Sequence, residues 1–186
     1  MKSEKEKMLA GELYDPLDTE LSAERRRARL LLKTLNDTRD DQQAERARLI
    51  RELIPTAGPE VWIEPPFYCD YGTHIILSGK VFFNFNCVVL DVAPVRIGEG
   101  VLFGPSVHIY AATHPMEAAV RKAGLELGKE VEIGDYAWIG GGVIICPGVR
   151  IGARAIIGAG SVVTRSIPPK VLAAGNPCRI IRKLEQ

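Results

Sequence analysis

Three histidines, His74, His108 and His114, are the side chains of this 186-residue chain best suited to moving a proton near neutral pH. Only His114 has a distinctive setting. It closes one unit of a six-residue repeat and is followed at once by an interruption, residues 115–126; a loop leaving a rigid scaffold makes a natural cleft wall. A second group lies at the far end. From residue 165 onward the chain carries Arg165, Lys170, Arg179, Arg182 and Lys183 against Glu185 alone. Guanidinium forks in such a tail suit phosphate groups, although the same tail reads equally well as a solvated end. The four cysteines, Cys69, Cys87, Cys146 and Cys178, are far apart with no CxxC pair. That spacing points to reduced, buried thiols, with neither a disulfide frame nor a zinc site.

Two kinds of structure must hold these groups. The net charge of +1 argues against nucleic-acid binding by bulk electrostatics, and the length suits one domain with an ample core. The even total hides a split: residues 1–57 carry 12 basic and 12 acidic side chains, and residues 58–186 carry 12 and 11 over more than twice the length. No apolar run approaches the ~20 residues that span a bilayer, and the polar start MKSEKEK is no secretory signal. The expectation is a cytoplasmic protein with no membrane partner. Residues 1–57 read as helical: one helix around Glu4–Leu13 and one capped by Ser22 with Leu30, Leu31 and Leu35 near one face, ending around Asn36. A third is capped by Asp40, carries Leu49, Ile50, Leu53 and Ile54, and is stopped by Pro55. Such short, charged helices must dock on something larger, and the run Arg25, Arg26, Arg27, Arg29 reads most simply as a solvated face.

Residues 58–186 keep a six-residue ruler. Aliphatic residues recur at Ile133, Ile139, Ile145, Ile151, Ile157 and Val163, most followed by a small residue, with second inward positions at Ala137, Val143, Val149, Ala155 and Ser161. Backwards the phase runs through Leu127, then Ile109, Phe103 and Ile97, and after a two-residue slip through Val89, Phe83 and Leu77. Neither a 3.6 nor a 2.0 period produces this. It suits a coil of short strands and turns, three hexads to a triangular turn, with the aliphatic residues inside. The small residue after each aliphatic would supply backbone freedom at the corner.

The ruler, together with MLAGELY, FYCDYG, NFNCVVLDVAPVRIG, ATHP and AAGNPCRIIRKL, resembles the maltose and galactoside O-acetyltransferases, over nearly the whole chain. CDYG and LDVAP bring it nearer the maltose group. The resemblance implies a mainly β fold: a left-handed parallel β-helix of hexapeptide repeats (58–186) with an N-terminal helical segment (1–57), an excursion loop at 115–126 and a C-terminal tail at 165–186. The left hand comes from the family, since crossovers generally prefer the right. The implied catalytic base is His114. Asn84 matches the residue near both sugar and thioester, although an Asn at a coil corner is also explained by its tolerance of left-handed backbone. Asp70 and Arg25 match sugar contacts, where a carboxylate accepts hydrogen bonds from hydroxyls. Two family carboxylates align with Pro16 and Val92, leaving Asp15 and Asp91 one residue away as substitutes, and on a strand that shift reverses side-chain direction. For the acetyl donor the implied contacts are Asn84, Trp138, the Gly141 amide, Ala159, Thr164 and Arg165, with Arg179 and Arg182 on the phosphates of coenzyme A.

The function implied is direct acetyl transfer from acetyl-CoA to a sugar hydroxyl, without an acyl-enzyme and without a metal, in a homotrimer with sites between neighbouring β-helices. The same coil also serves antibiotic acetyltransferases, zinc carbonic anhydrases and non-catalytic scaffolds. His108 and His114 are six apart, which puts them at equivalent points on successive faces and disfavours a shared zinc.

Overall fold

Along most strands of the chain buried and outward side chains alternate, as in Val81–Phe83, where Val81 and Phe83 point inward and Phe82 outward. A computed structural model describes residues 1–185 and stacks these short strands into a parallel coil with three faces. The first face contains Trp62–Ile63, Val81–Phe83, Val101–Phe103, Trp138–Ile139, Ile156–Ile157 and Val171–Ala174. The second contains Phe67–Cys69, Cys87–Leu90, His108–Tyr110, Ile144–Ile145 and Val162–Val163. The third contains Ile75–Leu77, Val95–Ile97, Val131–Ile133 and Arg150–Ile151. The chain ends in an antiparallel strand, Arg179–Lys183, folded back on Val171–Ala174.

The ruler positions line the interior. Ile133, Ile139, Ile145, Ile151, Ile157 and Val163 are all buried, as are Ala137, Val143, Val149, Ala155 and Ser161. The glycine after each aliphatic has a different cause from the one expected. Left-handed backbone falls two residues later, at Asn86, Ser106, Tyr136 and Arg154 as well as at Gly100, Gly142, Gly148 and Gly160. The earlier glycines permit close stacking of coils: a Cβ on Gly104 would meet the Gly141 nitrogen at 2.5 Å, and one on Gly140 the Ala159 nitrogen at 2.6 Å.

The helices are α1 (Glu4–Leu9), α2 (Thr19–Asn36), α3 (Gln43–Leu53) and α4 (Ala118–Lys122). Three details differ from the sequence expectation. Helix α1 stops at Leu9, short of Leu13. Helix α2 begins a turn before Ser22 because Asp18 caps it, accepting from the amides of Glu20 and Leu21 at 3.0 and 3.2 Å. Asp40 does not cap α3, whose N-cap Gln42 makes no side-chain cap bond. The buried stripe of α2 is Leu21, Ala28, Leu32 and Leu35, while Leu30 faces solvent. Ala28, Leu32, Leu35, Leu49, Ile50, Leu53 and Ile54 join the core of the coil, so the helices close its first turn. No helix among the described residues is long and apolar enough to cross a membrane.

Candidate active site

The second face leads directly to His114. Strand His108–Tyr110 runs into Ala112–Thr113, which pairs antiparallel with Leu127–Gly128, and the excursion between them begins at His114. Arg121 on α4 closes its root, donating at 2.7 Å to the carbonyls of Pro115 and Met116. The returning end is tied to the N-terminal segment, for Tyr14 and Glu126 exchange two backbone hydrogen bonds of 3.1 Å and the Tyr14 hydroxyl donates to Glu126 Oε2 at 3.1 Å. Between helical segment and coil lies a cleft of about 380 Å³. Its polar lining includes Arg25, Arg29, Asp70, His114 and Glu126, and its apolar lining Pro16, Leu17, Leu90 and Val92.

Beneath it sits a small second core of Met8, Tyr14, Leu21, Tyr71 and Val92. Arg25 reaches across this core, donating to the Tyr71 hydroxyl at 2.7 Å and to the Pro16 carbonyl, with its guanidinium 5.7 Å from the Tyr71 ring centroid. Burial pushes the Asp70 carboxyl up to about 6; the Asp91 carboxylate adds to this and Arg25 opposes it. Such a group is poised to accept from, or donate to, a hydroxyl.

Most of the residues implied for the acetyl donor lie elsewhere, and they do not all come together. Asn84 follows the first-face strand Val81–Phe83, its amide donating to Phe103 at 3.1 Å, and Gly104, Gly140–Gly141 and Gly158–Ala159 stack over it coil by coil. This column forms the corner between the first and second faces. Trp138 stands on the first face beside it, 54% exposed, and Arg182, in register with Leu172, and Arg179, with Ala174, extend that face at its end. Thr164 and Arg165 lie at the other edge of the second face, where strand Val162–Val163 ends. The Gly141 corner and the His114 cleft therefore lie on opposite edges of the second face, separated by a stretch of six or seven extended residues, on the order of 20 Å.

The fold brings His114, Arg25 and Asp70 together in one cleft, and Asn84, Gly141 and Ala159 into one column. It withdraws Asp91 from the sugar role. That side chain has no exposed surface: Oδ1 accepts from the amides of Asp70 and Tyr71 at 3.0 and 2.9 Å, and Oδ2 from that of His74 at 3.3 Å. Val92 faces the cleft in its place, as the one-residue shift dictates. Asp15 is exposed and its Oδ1 accepts the Leu17 amide at 2.8 Å, so the cleft wall there is Pro16 and Leu17. His74 is spent on structure, its Nδ1 donating to the Asp91 carbonyl at 2.7 Å, and His108 Nδ1 bonds the Tyr110 hydroxyl at 2.7 Å. Among the described residues no three histidine, cysteine or carboxylate groups converge as a metal site. Arg29, expected with the rest of the arginine run on a solvated face, lines the cleft instead, and Tyr14 and Glu126 join it without a sequence expectation; Glu126 has a signal only as the last residue of the interruption.

The maltose acetyltransferase hexapeptide capping motif matches residues 7–58, and the bacterial transferase hexapeptide model, six repeats, matches residues 130–165. Nodulation protein L of Rhizobium meliloti is 49% identical over 96% of this chain and 98% of its own. The crystal structure of a maltose O-acetyltransferase from Clostridium difficile superposes with a TM-score of 0.98 at 45% identity, covering 100% of this chain and 99% of that one. The chain belongs to the maltose and galactoside O-acetyltransferase family of hexapeptide-repeat enzymes. A hexapeptide-repeat acetyltransferase of Vibrio cholerae, solved in complex with acetyl coenzyme A, is 42% identical with a TM-score of 0.92 over the full length of both chains.

Proposed function

We propose that this acetyltransferase moves the acetyl group of acetyl-CoA directly to a hydroxyl of a small sugar of the glucose, maltose or galactoside class, with His114 as general base. The observation that carries the reading is the grouping of His114 with Asp70 and Arg25 in one cleft of sugar size at the root of the excursion loop. His114 takes the hydroxyl proton, the alkoxide oxygen attacks the thioester carbonyl, and the tetrahedral oxyanion is held by the Gly141 amide. Collapse expels the thiolate of coenzyme A, which recovers a proton from the imidazolium. Asn84 orients the reactants, Trp138, Ala159, Thr164 and Arg165 line the pantetheine arm, and Arg179 and Arg182 meet the phosphates.

The reading needs a second copy of the chain, because His114 and Gly141 occupy opposite edges of one face. A homotrimer of left-handed prisms would bring the corner of one protomer to the cleft of the next. An apolar ladder supports it: Phe82, Leu102, Trp138, Ile156 and Leu172 stand in register on the outside of the first face, with Leu102 46% exposed. The third face instead carries Arg96, Glu132 and Arg150 outward, the last two ion-paired at 2.7 Å, as a solvated face should.

Thiol release from acetyl-CoA in the presence of glucose, maltose or a galactoside tests the activity. His114→Ala should lower it on the order of a hundredfold or more, and full turnover by that variant would overturn the assignment. Light scattering should give three times the chain mass; a fully active monomer would overturn the shared site.

A further inference from the structure

Arg29 lines the acceptor cleft and also a neighbouring groove of about 320 Å³ whose wall includes Leu32, Lys33, Asp37 and Tyr68. Resting on the acceptor reading above, we propose that this groove is a second saccharide subsite, with the Tyr68 ring as its platform, so that the natural acceptor is an oligosaccharide.

Strand geometry ties the ring to the reacting centre. Tyr68 points outward from the strand Phe67–Cys69 into this groove, and Asp70, the residue after that strand, lines the adjoining cleft; two residues of extended chain set them on the order of 7 Å apart, a span that one glycosidic linkage can bridge. A sugar held by Asp70 therefore has its next unit over Tyr68. The ring is 51% exposed and open to a ligand along the groove. The backbone that carries it is held in place. The Asn36 side chain receives the Phe67 amide at 2.9 Å and donates to the Phe67 carbonyl at 2.9 Å, locking the strand immediately before the ring against the end of α2. An aromatic side chain with only two side-chain torsions costs little ordering entropy on binding, and the apolar face of a pyranose offers it C–H groups. Lys33 and Asp37, ion-paired at 2.9 Å and well exposed, stand at the rim where sugar hydroxyls would project.

The test compares kcat/KM for glucose, maltose and maltotriose, and in parallel for cellobiose and cellotriose, in the wild-type chain and in Tyr68→Ala. The wild type should prefer the longer acceptors of one series. Tyr68→Ala should reduce the ratio of trisaccharide to glucose by roughly three- to tenfold, the scale of one aromatic contact, and Tyr68→Phe should restore it. Equal rates for all lengths, or a length preference untouched by Tyr68→Ala, would overturn the subsite while leaving sugar acetylation intact. No acetylation of any sugar would instead remove the acceptor reading itself. A loss of trimer mass in Tyr68→Ala without a change in length preference would assign the ring to contact between copies and so also overturn the proposal.

Discussion

Tyr14 and Glu126 are joined three times, by a reciprocal pair of backbone hydrogen bonds and by the Tyr14 hydroxyl on the Glu126 carboxylate, across 112 positions of sequence. This contact makes the helical segment and the excursion loop one wall. His114 begins the loop and Glu126 ends it, so the N-terminal segment fixes the span that positions His114.

Tyr14→Phe removes only the hydroxyl bond. The expected loss of stability is about 1 kcal/mol, read by chemical denaturation. Because the Glu126 carboxylate is then free to move in the acceptor cleft, KM for the sugar should rise severalfold while KM for acetyl-CoA holds. Equal rises in both would show that the contact steadies the whole chain and has no bearing on the acceptor wall.

Gly72 is where α3 meets the coil. Its φ is +75°, and a Cβ there would lie 2.5 Å from the Leu53 carbonyl oxygen and 2.8 Å from the Leu53 side chain. Gly72→Ala therefore combines left-handed strain with a collision against backbone, at about 2–4 kcal/mol. Gly160→Ala is the control: φ is +70° but a Cβ would meet nothing within 4 Å, so only the strain remains, about 1 kcal/mol. Thermal unfolding of the pair should separate the two; equal shifts would refute the close docking of α3.

Asp91 is the knot of the turn that presents Asp70. Asp91→Ala leaves three amides, two of them buried, without an acceptor and should cost about 3 kcal/mol. Asp91→Asn keeps one acceptor oxygen for the Asp70 and Tyr71 amides but turns a donor toward the His74 amide, and should fall between. A normally stable Asp91→Ala whose only defect is a higher sugar KM would return this residue to the acceptor site.

The repeat was legible because burial repeats with it: every residue of the series from Ile133 to Val163 is an inward one. The reason for its glycines was not legible, since close stacking is a relation between coils eighteen or more residues apart and leaves no local mark. Helix α3 showed its buried stripe at Leu49, Ile50, Leu53 and Ile54, whereas α2 has apolar residues on more than one side, and only docking selects Leu32 over Leu30. In the site, His114 is visible from its place before the interruption, and the one-residue offset of Asp91 already marks it off from Asp70, although its burial and its three amide partners leave no mark in the sequence. Their different fates depend on one strand alternation, outward at Asp70 and inward at Asp91.

Asp70 should make stability and acceptor binding respond to pH in opposite directions. Its carboxyl ordinarily titrates at 3.8 and in the fold is pushed up to about 6, chiefly by burial. Between those values the folded chain holds a proton that the unfolded chain has released. The stability this contributes is complete below pH 4 and is lost as pH rises through 6, about 2 kcal/mol in all for a group that retains some contact with water. Over the same interval the carboxylate proposed to accept from sugar hydroxyls is formed, so KM for the acceptor should fall between pH 5 and 7. Asp70→Asn has no such proton to lose. Its unfolding free energy should exceed that of the wild type at pH 7 and match it near pH 4, and its acceptor KM should be higher and lack the Asp70-linked fall. Denaturation curves and acceptor KM measured at half-unit steps from pH 4 to 7.5 check both limbs. If the wild type and Asp70→Asn run parallel across that range, Asp70 is ionised throughout and burial does not control it.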